Sequence, residues 1–203
     1  MNYFVTGIDT DSGKSLVSAI LCEALLADYW KPIQAGIPTD TESVKKLVSN
    51  QQTRFHPESY LLNTPASPHA AAAKENITIN LDAIKVPHTR NDLIIEGAGG
   101  CLVPLNDDQF IIDLAVHLQC KLIVVSDLYL GSINHTLLTF KELEARKLPV
   151  MGVIFNGEEN PESQRIILKH SGWHPLLHIK REKEINQEIV SVYAKELLKN
   201  WNA

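Results

Sequence analysis

Gly7-Ile8-Asp9-Thr10-Asp11-Ser12-Gly13-Lys14-Ser15 follows the apolar run Tyr3-Phe4-Val5-Thr6 and opens into Leu16-Val17-Ser18-Ala19-Ile20-Leu21. Read in order, this is a strand, a glycine-bounded loop, Gly-Lys-Ser and a helix. Such a loop wraps backbone N–H groups around phosphate oxygens, and the helix N-terminus adds its partial positive charge. Lys14 would reach the outer phosphates, and the Ser15 hydroxyl would sit on Mg²⁺. Five residues separate Gly7 from Gly13, against four in the common phosphate-loop pattern. Gly-Lys-Ser alone is a common tripeptide. Its place between the first strand and the first helix points to a bound nucleoside triphosphate.

The rest of the chain repeats this alternation. Buried-strand runs are expected at Tyr3–Thr6, Trp30–Gln34, Leu93–Glu96, Lys121–Ser126, Val150–Phe155 and Leu176–Ile179. Several are continuous apolar runs, which suits strands covered on both faces of a parallel sheet. Helices are expected at Lys14–Leu26 with Leu16, Ile20 and Ala24 on one side, and at Ser132–Arg146 with Ile133, Leu137, Phe140 and Glu144 in line and Leu143 beside it. A third is expected at Pro161–His170, after Asn160 as cap and ending near Gly172. The last, Glu182–Trp201, would stripe Ile185, Ile189, Val192 and Leu197. Residues 54–91 are polar and rich in proline and histidine, and read as a connection across the sheet. The pattern predicts an α/β fold of the P-loop NTPase kind, a mostly parallel sheet flanked by helices on both faces, as a single domain over 1–203.

Size and charge bound the function. The chain has 203 residues, 44% apolar and 21% charged, with a net charge of −5. A broad basic surface for nucleic acid is not expected. No run reaches membrane-spanning length and no signal-type segment opens the chain. Cys22, Cys101 and Cys120 are widely spaced with no metal-ligand pattern, so buried free thiols in a reducing cytoplasm are expected.

Four further segments carry polar groups where an α/β sheet binds ligands. Glu96-Gly97-Ala98-Gly99-Gly100 follows a strand. A carboxylate there faces the ligand crevice and can hold Mg²⁺; the alternative is a tight turn with an exposed Glu. In Lys31-Pro32-Ile33-Gln34-Ala35-Gly36, a lysine within an apolar strand needs an anionic partner such as a triphosphate, or else snorkels from an edge. Asp40 either caps the helix beginning at Thr41 or supplies a second carboxylate for Mg²⁺. Leu130-Gly131-Ser132-Ile133-Asn134-His135 opens a helix whose free N–H groups would hold a carboxylate or phosphate, or is an ordinary helix start. His69 and His135 are given no proton-transfer role.

Taken in order, these segments and Pro65-Ala66-Ser67-Pro68-His69 resemble the dethiobiotin synthetases, and the resemblance covers almost the whole chain. It implies ATP- and Mg²⁺-dependent carboxylation of a diamine, 7,8-diaminononanoate, with CO₂ and closure of a ureido ring. Under it Lys14 and Lys31 stabilise the γ-phosphoryl group and a carbamate, and Thr10 bonds to either. Ser15, Asp40 and Glu96 hold Mg²⁺. Asp11, Ser12, Gly13, Leu16, Gly97, Ala98 and Gly99 surround the nucleotide, and Asn156 meets its base. Gly131, Ser132, Ile133 and Asn134 hold the substrate carboxylate, at a site completed across a homodimer interface.

The sequence departs from that family at several points. Ala35 stands where a Ser or Thr hydroxyl is usual, and Ile8 and Ser12 replace the common Thr and Val. The connection before Lys31 is short, which predicts a curtailed second strand. Leu177-His178-Ile179-Lys180-Arg181 replaces a Gly-Glu-Ile-Pro stretch. The competing reading is a partition-type switch ATPase, whose loop carries a signature lysine where Asp9 stands here. A regulatory GTPase lacks its Asn-Lys-x-Asp, and a cobyrinate-type amidating ligase would need a longer chain.

Overall fold

The computed structural model describes residues 1–201. Its main sheet holds β1 (Asn2–Gly7), β2 (Asp28–Trp30), β4 (Phe55–His56), β6 (Leu93–Gly100), β7 (Lys121–Asp127), β8 (Val150–Asn156) and β9 (Pro175–Ile179). Their order is β4-β2-β6-β1-β7-β8-β9, and every pairing is parallel. A second parallel pair joins β3 (Ile33–Ala35) to β5 (Tyr60–Leu62). The helices are α1 (Lys14–Leu25), α2 (Asp40–Leu47), α3 (Pro68–Lys74), α4 (Ile111–His117), α5 (Ser132–Ala145), α6 (Pro161–Ser171) and α7 (Gln187–Asn200).

The continuous apolar runs are explained by two separate cores. Side chains alternate across a strand, so neighbours face opposite sides. Phe4, Leu93, Ile95, Leu122 and Val124 enter one core, with Ile111, Ile112 and Leu114 of α4. Tyr3, Val5, Ile94, Ile123 and Val125 enter the other, with Val17, Ile20 and Leu21 of α1 and Val190, Ala194 and Leu197 of α7. The P-loop NTPase type of α/β fold expected from the sequence is the one observed. Cys22, Cys101 and Cys120 are free and buried.

Several boundaries differ from expectation. The predicted strand Trp30–Gln34 is split. Pro32 has no N–H for the ladder, so β2 ends at Trp30 and the chain leaves for the second sheet, where the Pro32 carbonyl accepts from the Ser59 and Tyr60 N–H groups at 2.9 and 3.0 Å. Lys31 therefore sits at the end of β2, not within a strand. β6 runs on to Gly100, through the glycine segment expected to follow the strand. The 54–91 connection contains β4, β5, α3 and a 3₁₀ turn at Leu81–Ala83, and α4 was not anticipated.

Helix faces shift too. α5 buries Phe140 and Leu143 as expected, but with Ser132, Thr136 and Thr139, while Ile133 and Leu137 of the expected line are only partly buried. The last helix begins at Gln187, because the Asn186 side chain accepts from the Ile189 N–H at 3.1 Å and caps it there. Ile185 lies outside that helix, and Val192 is exposed. α6 starts and stops as expected: Asn160 caps it and Gly172 ends it in the left-handed region at φ 66°.

Candidate active site

At the C-terminal ends of β1, β2 and β6 lies a cleft of about 600 Å³. Thr10, Asp11, Gly13, Lys14, Ser15 and Leu16 form its floor. Lys31, Gln34, Ala35 and Asp40 form one wall, Pro65–Pro68 another, and Glu96, Ala98 and Gly99 a third. Residues far apart in sequence meet there because parallel strands deliver their C-terminal ends to one edge.

The loop is held by its own atoms. The Ser12 hydroxyl donates to the Asp9 carbonyl at 2.7 Å and accepts from the Asp9 N–H at 2.9 Å. The Lys14 ammonium donates to the Asp9 and Thr10 carbonyls at 2.9 and 2.7 Å. Gly13 has φ 94°, and a Cβ on it would come within 2.5 Å of Asn156 Nδ2. The left-handed backbone and this close approach together demand glycine. The same Asn156 amide donates to the Ser12 carbonyl at 3.0 Å, so the end of β8 braces the loop.

Opposite the loop, charges are paired around Lys31. Its ammonium lies 2.6 Å from Asp40 Oδ2 and 3.2 Å from Glu96 Oε1, and donates to the Gly97 carbonyl at 3.1 Å. Glu96 is buried, which rules out the exposed-turn alternative, and Lys31 is buried, which rules out snorkelling. Glu96 Oε1 also accepts from the Ser15 hydroxyl at 2.9 Å, and Oε2 from the Tyr29 hydroxyl at 3.0 Å. Asp40 is not the helix cap. Thr39 is, accepting from the Glu42 N–H at 3.2 Å. That leaves the Asp40 carboxylate free to reach Lys31.

The two lysines differ electrostatically. Burial, and then the charge of Lys31, lower the Lys14 pKa to about 8. Burial also acts to lower Lys31, but Glu96 and Asp40 outweigh it and the pKa ends above the ordinary lysine value. Burial first, then the Glu96 and Asp40 charges, push the Tyr29 phenol well up, so it remains a donor. Lys31 is thus a permanent cation, and Lys14 one whose charge depends on what fills the loop.

Of the residues singled out in the sequence, Thr10, Asp11, Gly13, Lys14, Ser15, Leu16, Lys31, Asp40, Glu96, Ala98 and Gly99 line this cleft, with Gly97 and Asn156 directly behind it, while Ser12 is buried within the loop and does not line it. Gly131, Ser132, Ile133 and Asn134 do not line it. They form the exposed start of α5, with Gly131 left-handed at φ 107° and Ser132 buried. A second hollow of about 340 Å³ lies beside that start, lined by Asp9, Cys101, Leu102, His135, Leu138 and Glu142 among others. Sequence reasoning missed Tyr29 and Gln34. The Gln34 amide donates to the Gly36 carbonyl and accepts from the Asp40 N–H, both at 3.0 Å. Tyr29 precedes Lys31 by two, the spacing that puts two side chains on one face of an extended chain. His69 bonds to Ser67 at 3.1 Å, outside the charged cluster.

The oxygen donors near the loop suit a hard cation. Ser15, Asp40 and Glu96 provide a hydroxyl and two carboxylates, and among the described residues no group of three or more His, Cys, Asp or Glu forms a closed metal cage. Few protein ligands beside a phosphate cradle fit Mg²⁺, which keeps waters and shares phosphate oxygens.

Comparison with known proteins agrees with this arrangement. A family profile described as an AAA domain matches residues 1–189. The ATP-dependent dethiobiotin synthetase BioD of Cytophaga hutchinsonii is 55% identical over 201 residues, 98% of each chain. That of Christiangramia forsetii is 46% identical over 98% of this chain and 96% of its own. Among solved structures, the septum site-determining protein MinD complexed with Mg-ADP from Pyrococcus horikoshii superposes with a TM-score of 0.62 at 14% identity, covering 97% of this chain and 94% of its own. A ParA family ATPase from Chlorobium tepidum gives 0.58 at 13%, covering 98% and 91%. At such identities the last two speak for the fold alone, whereas near-full-length identity of about half decides the family: the chain belongs to the ATP-dependent dethiobiotin synthetases.

Proposed function

We propose that the protein converts 7,8-diaminononanoate, CO₂ and ATP into dethiobiotin, ADP and phosphate in a Mg²⁺-dependent reaction of biotin synthesis. The observation that carries this reading is Lys31, a buried cation facing the phosphate loop across one cleft. Because the main sheet, and not the phosphate loop, mounts Lys31, its charge can meet an anionic group beside the phosphates.

In this reading one amine of the substrate adds to CO₂ and loses a proton, giving a carbamate. Lys31 holds the carbamate oxygens. Lys14 and the loop N–H groups hold the phosphates so that a carbamate oxygen attacks the γ-phosphorus and ADP leaves. The second amine then attacks the carbonyl carbon, loses its proton and expels phosphate as the ring closes. Positioning and charge stabilisation do most of the work. Bound Mg²⁺ would neutralise the phosphate oxygens, held by Ser15, Asp40 and Glu96. Asn156 would meet the base at the loop's edge. Ala35 offers no hydroxyl to the reacting groups, so their contacts on that wall fall to Lys31.

The start of α5 lies outside the cleft, and this supports a homodimer in which Gly131–Asn134 of a second copy reach the substrate carboxylate. Leu102 and Leu138, exposed at the second hollow, and Leu130, exposed just before α5, are apolar groups such a contact would cover. Three buried free thiols suit a reducing cytoplasm. No described helix is long and apolar enough to cross a membrane. The test is dethiobiotin formation from the diamine, bicarbonate and Mg-ATP. Formation of product with matching ADP release is expected. ATP hydrolysis that ignores the diamine would return the chain to the partition-type switch ATPases.

A further inference from the structure

Tyr29 is a residue that neither the motifs nor the phosphate loop account for. It lies on β2, in register with Ile94 of β6, and Trp30 pairs with Ile95. Continuing that ladder sets Lys31 beside Glu96. Tyr29 and Lys31 share one face of the sheet, two residues apart, and Glu96 stands between their tips. The phenol reaches the carboxylate from inside the core, and the ammonium reaches it from the cleft. Tyr29 is fully buried, and its ring packs against Phe55 with centroids 5.9 Å apart.

The two oxygens of Glu96 have different duties. Oε1 meets Ser15 and Lys31, both of which line the cleft. Among the described residues, Oε2 meets Tyr29. A buried carboxylate oxygen with no donor carries a desolvation penalty. The phenol removes that penalty on the one side of Glu96 that no ligand can reach. It also stops the carboxylate from turning, because rotation would take Oε2 away from its donor.

We propose that Tyr29 is a positioning residue, whose hydroxyl holds Glu96 Oε2 so that Oε1 alone is presented to the cation that accompanies ATP. This rests on the metal role given to Glu96 above. When that cation and the substrate draw Ser15 and Lys31 away from Oε1, the Tyr29 bond is the contact that stays.

The test is a Mg²⁺ titration of two quantities: steady-state turnover, and binding of a non-hydrolysable fluorescent ATP analogue. It compares the parent with Tyr29→Phe, Glu96→Gln, the double variant, and Phe55→Leu, which loosens the ring's packing but keeps the hydroxyl. Tyr29→Phe is expected to raise the Mg²⁺ needed for half-effect about tenfold in both titrations, with binding of the metal-free analogue unchanged. In the Glu96→Gln background the same change should have no further effect, since Tyr29 acts through that carboxylate. Phe55→Leu should lower the melting temperature and leave the Mg²⁺ requirement alone.

Parental Mg²⁺ curves for Tyr29→Phe overturn the inference, and so do equal shifts for Tyr29→Phe and Phe55→Leu. Should Tyr29→Phe not fold, the double variant, with a neutral amide in place of the stranded carboxylate, is expected to fold. Its failure as well would make Tyr29 a core residue only. Mg²⁺ curves that Glu96→Gln leaves unmoved would sink the metal role of Glu96 itself, a separate failure from that of Tyr29.

Discussion

The two sides of the cleft are built on different plans. The phosphate-loop side is contiguous: Gly7 to Ser15 carry its glycines, its lysine and its hydroxyl, and its internal bonds span at most five residues. The Lys31 side is assembled. Tyr29, Lys31, Gln34, Asp40 and Glu96 come from β2, β3, α2 and β6, and the Lys31–Glu96 contact spans 65 residues. A contiguous site survives wherever its strand and helix form. An assembled one exists only when the sheet is in register. In the proposed reading the labour divides the same way: the loop grips the triphosphate, and on the assembled wall Asp40 and Glu96 serve its cation while Lys31 serves the group particular to this reaction.

That division can be broken experimentally. The largest effect is expected from Lys14→Ala, with turnover down by about 10³-fold, since the charge acts where the phosphoryl group is transferred. Alanine suits the first position of α1, so the melting temperature should hold. A folded variant of near-parental activity would remove Lys14 from the mechanism. Lys31→Met should cost about 10²-fold in ring closure while a non-hydrolysable ATP analogue still binds. Equal losses in binding and product would mean that both sides grip the same ligand, and the comparison would fail.

pH sharpens it further. With Lys14 near pKa 8 in the free protein and held as an ammonium by phosphates, nucleotide affinity should be level below pH 8. Above it, affinity should fall by up to about tenfold per pH unit, with proton uptake on binding. Calorimetry in buffers of different ionisation enthalpy measures that uptake. Lys14→Ala should abolish it; Lys31→Met should keep it but move it to higher pH, because the Lys31 charge is one of the causes that hold Lys14 low. The smallest effect is expected of Asn156→Ala, about threefold to tenfold in nucleotide affinity, through loss of one hydrogen bond to the Ser12 carbonyl. An unchanged affinity would make that brace dispensable.

What the sequence disclosed follows the same split. The loop, the parallel sheet and the two-sided burial were legible because glycine spacing and apolar runs are local signals. Lys31 and Glu96 stood out as charges in apolar company, yet their contact depends on β2 lying beside β6, which no local pattern states. Tyr29 escaped notice because an aromatic next to an apolar run reads as core, and only its hydroxyl departs from that role. Asp40 was read as cap or ligand, and Thr39, one residue earlier, took the cap. The stripes on α5 and α7 were right at Phe140, Leu143 and Leu197 and wrong elsewhere, because Thr136, Thr139 and Ala194 are buried where larger apolar neighbours such as Val192 are not.

The break at Pro32 has a consequence for how such a site can be altered. Past it the chain belongs to a separate two-stranded sheet, and Asp40 arrives only after the Gly36–Thr39 turn. Glu96 arrives through the main sheet. The two anions that flank Lys31 are therefore mounted on independent supports. A residue added to or removed from the turn would retune the distance to Asp40 and leave the Lys31–Glu96 pair at its present height. An enzyme designer, or natural variation, can adjust one setting of this wall without disturbing the other.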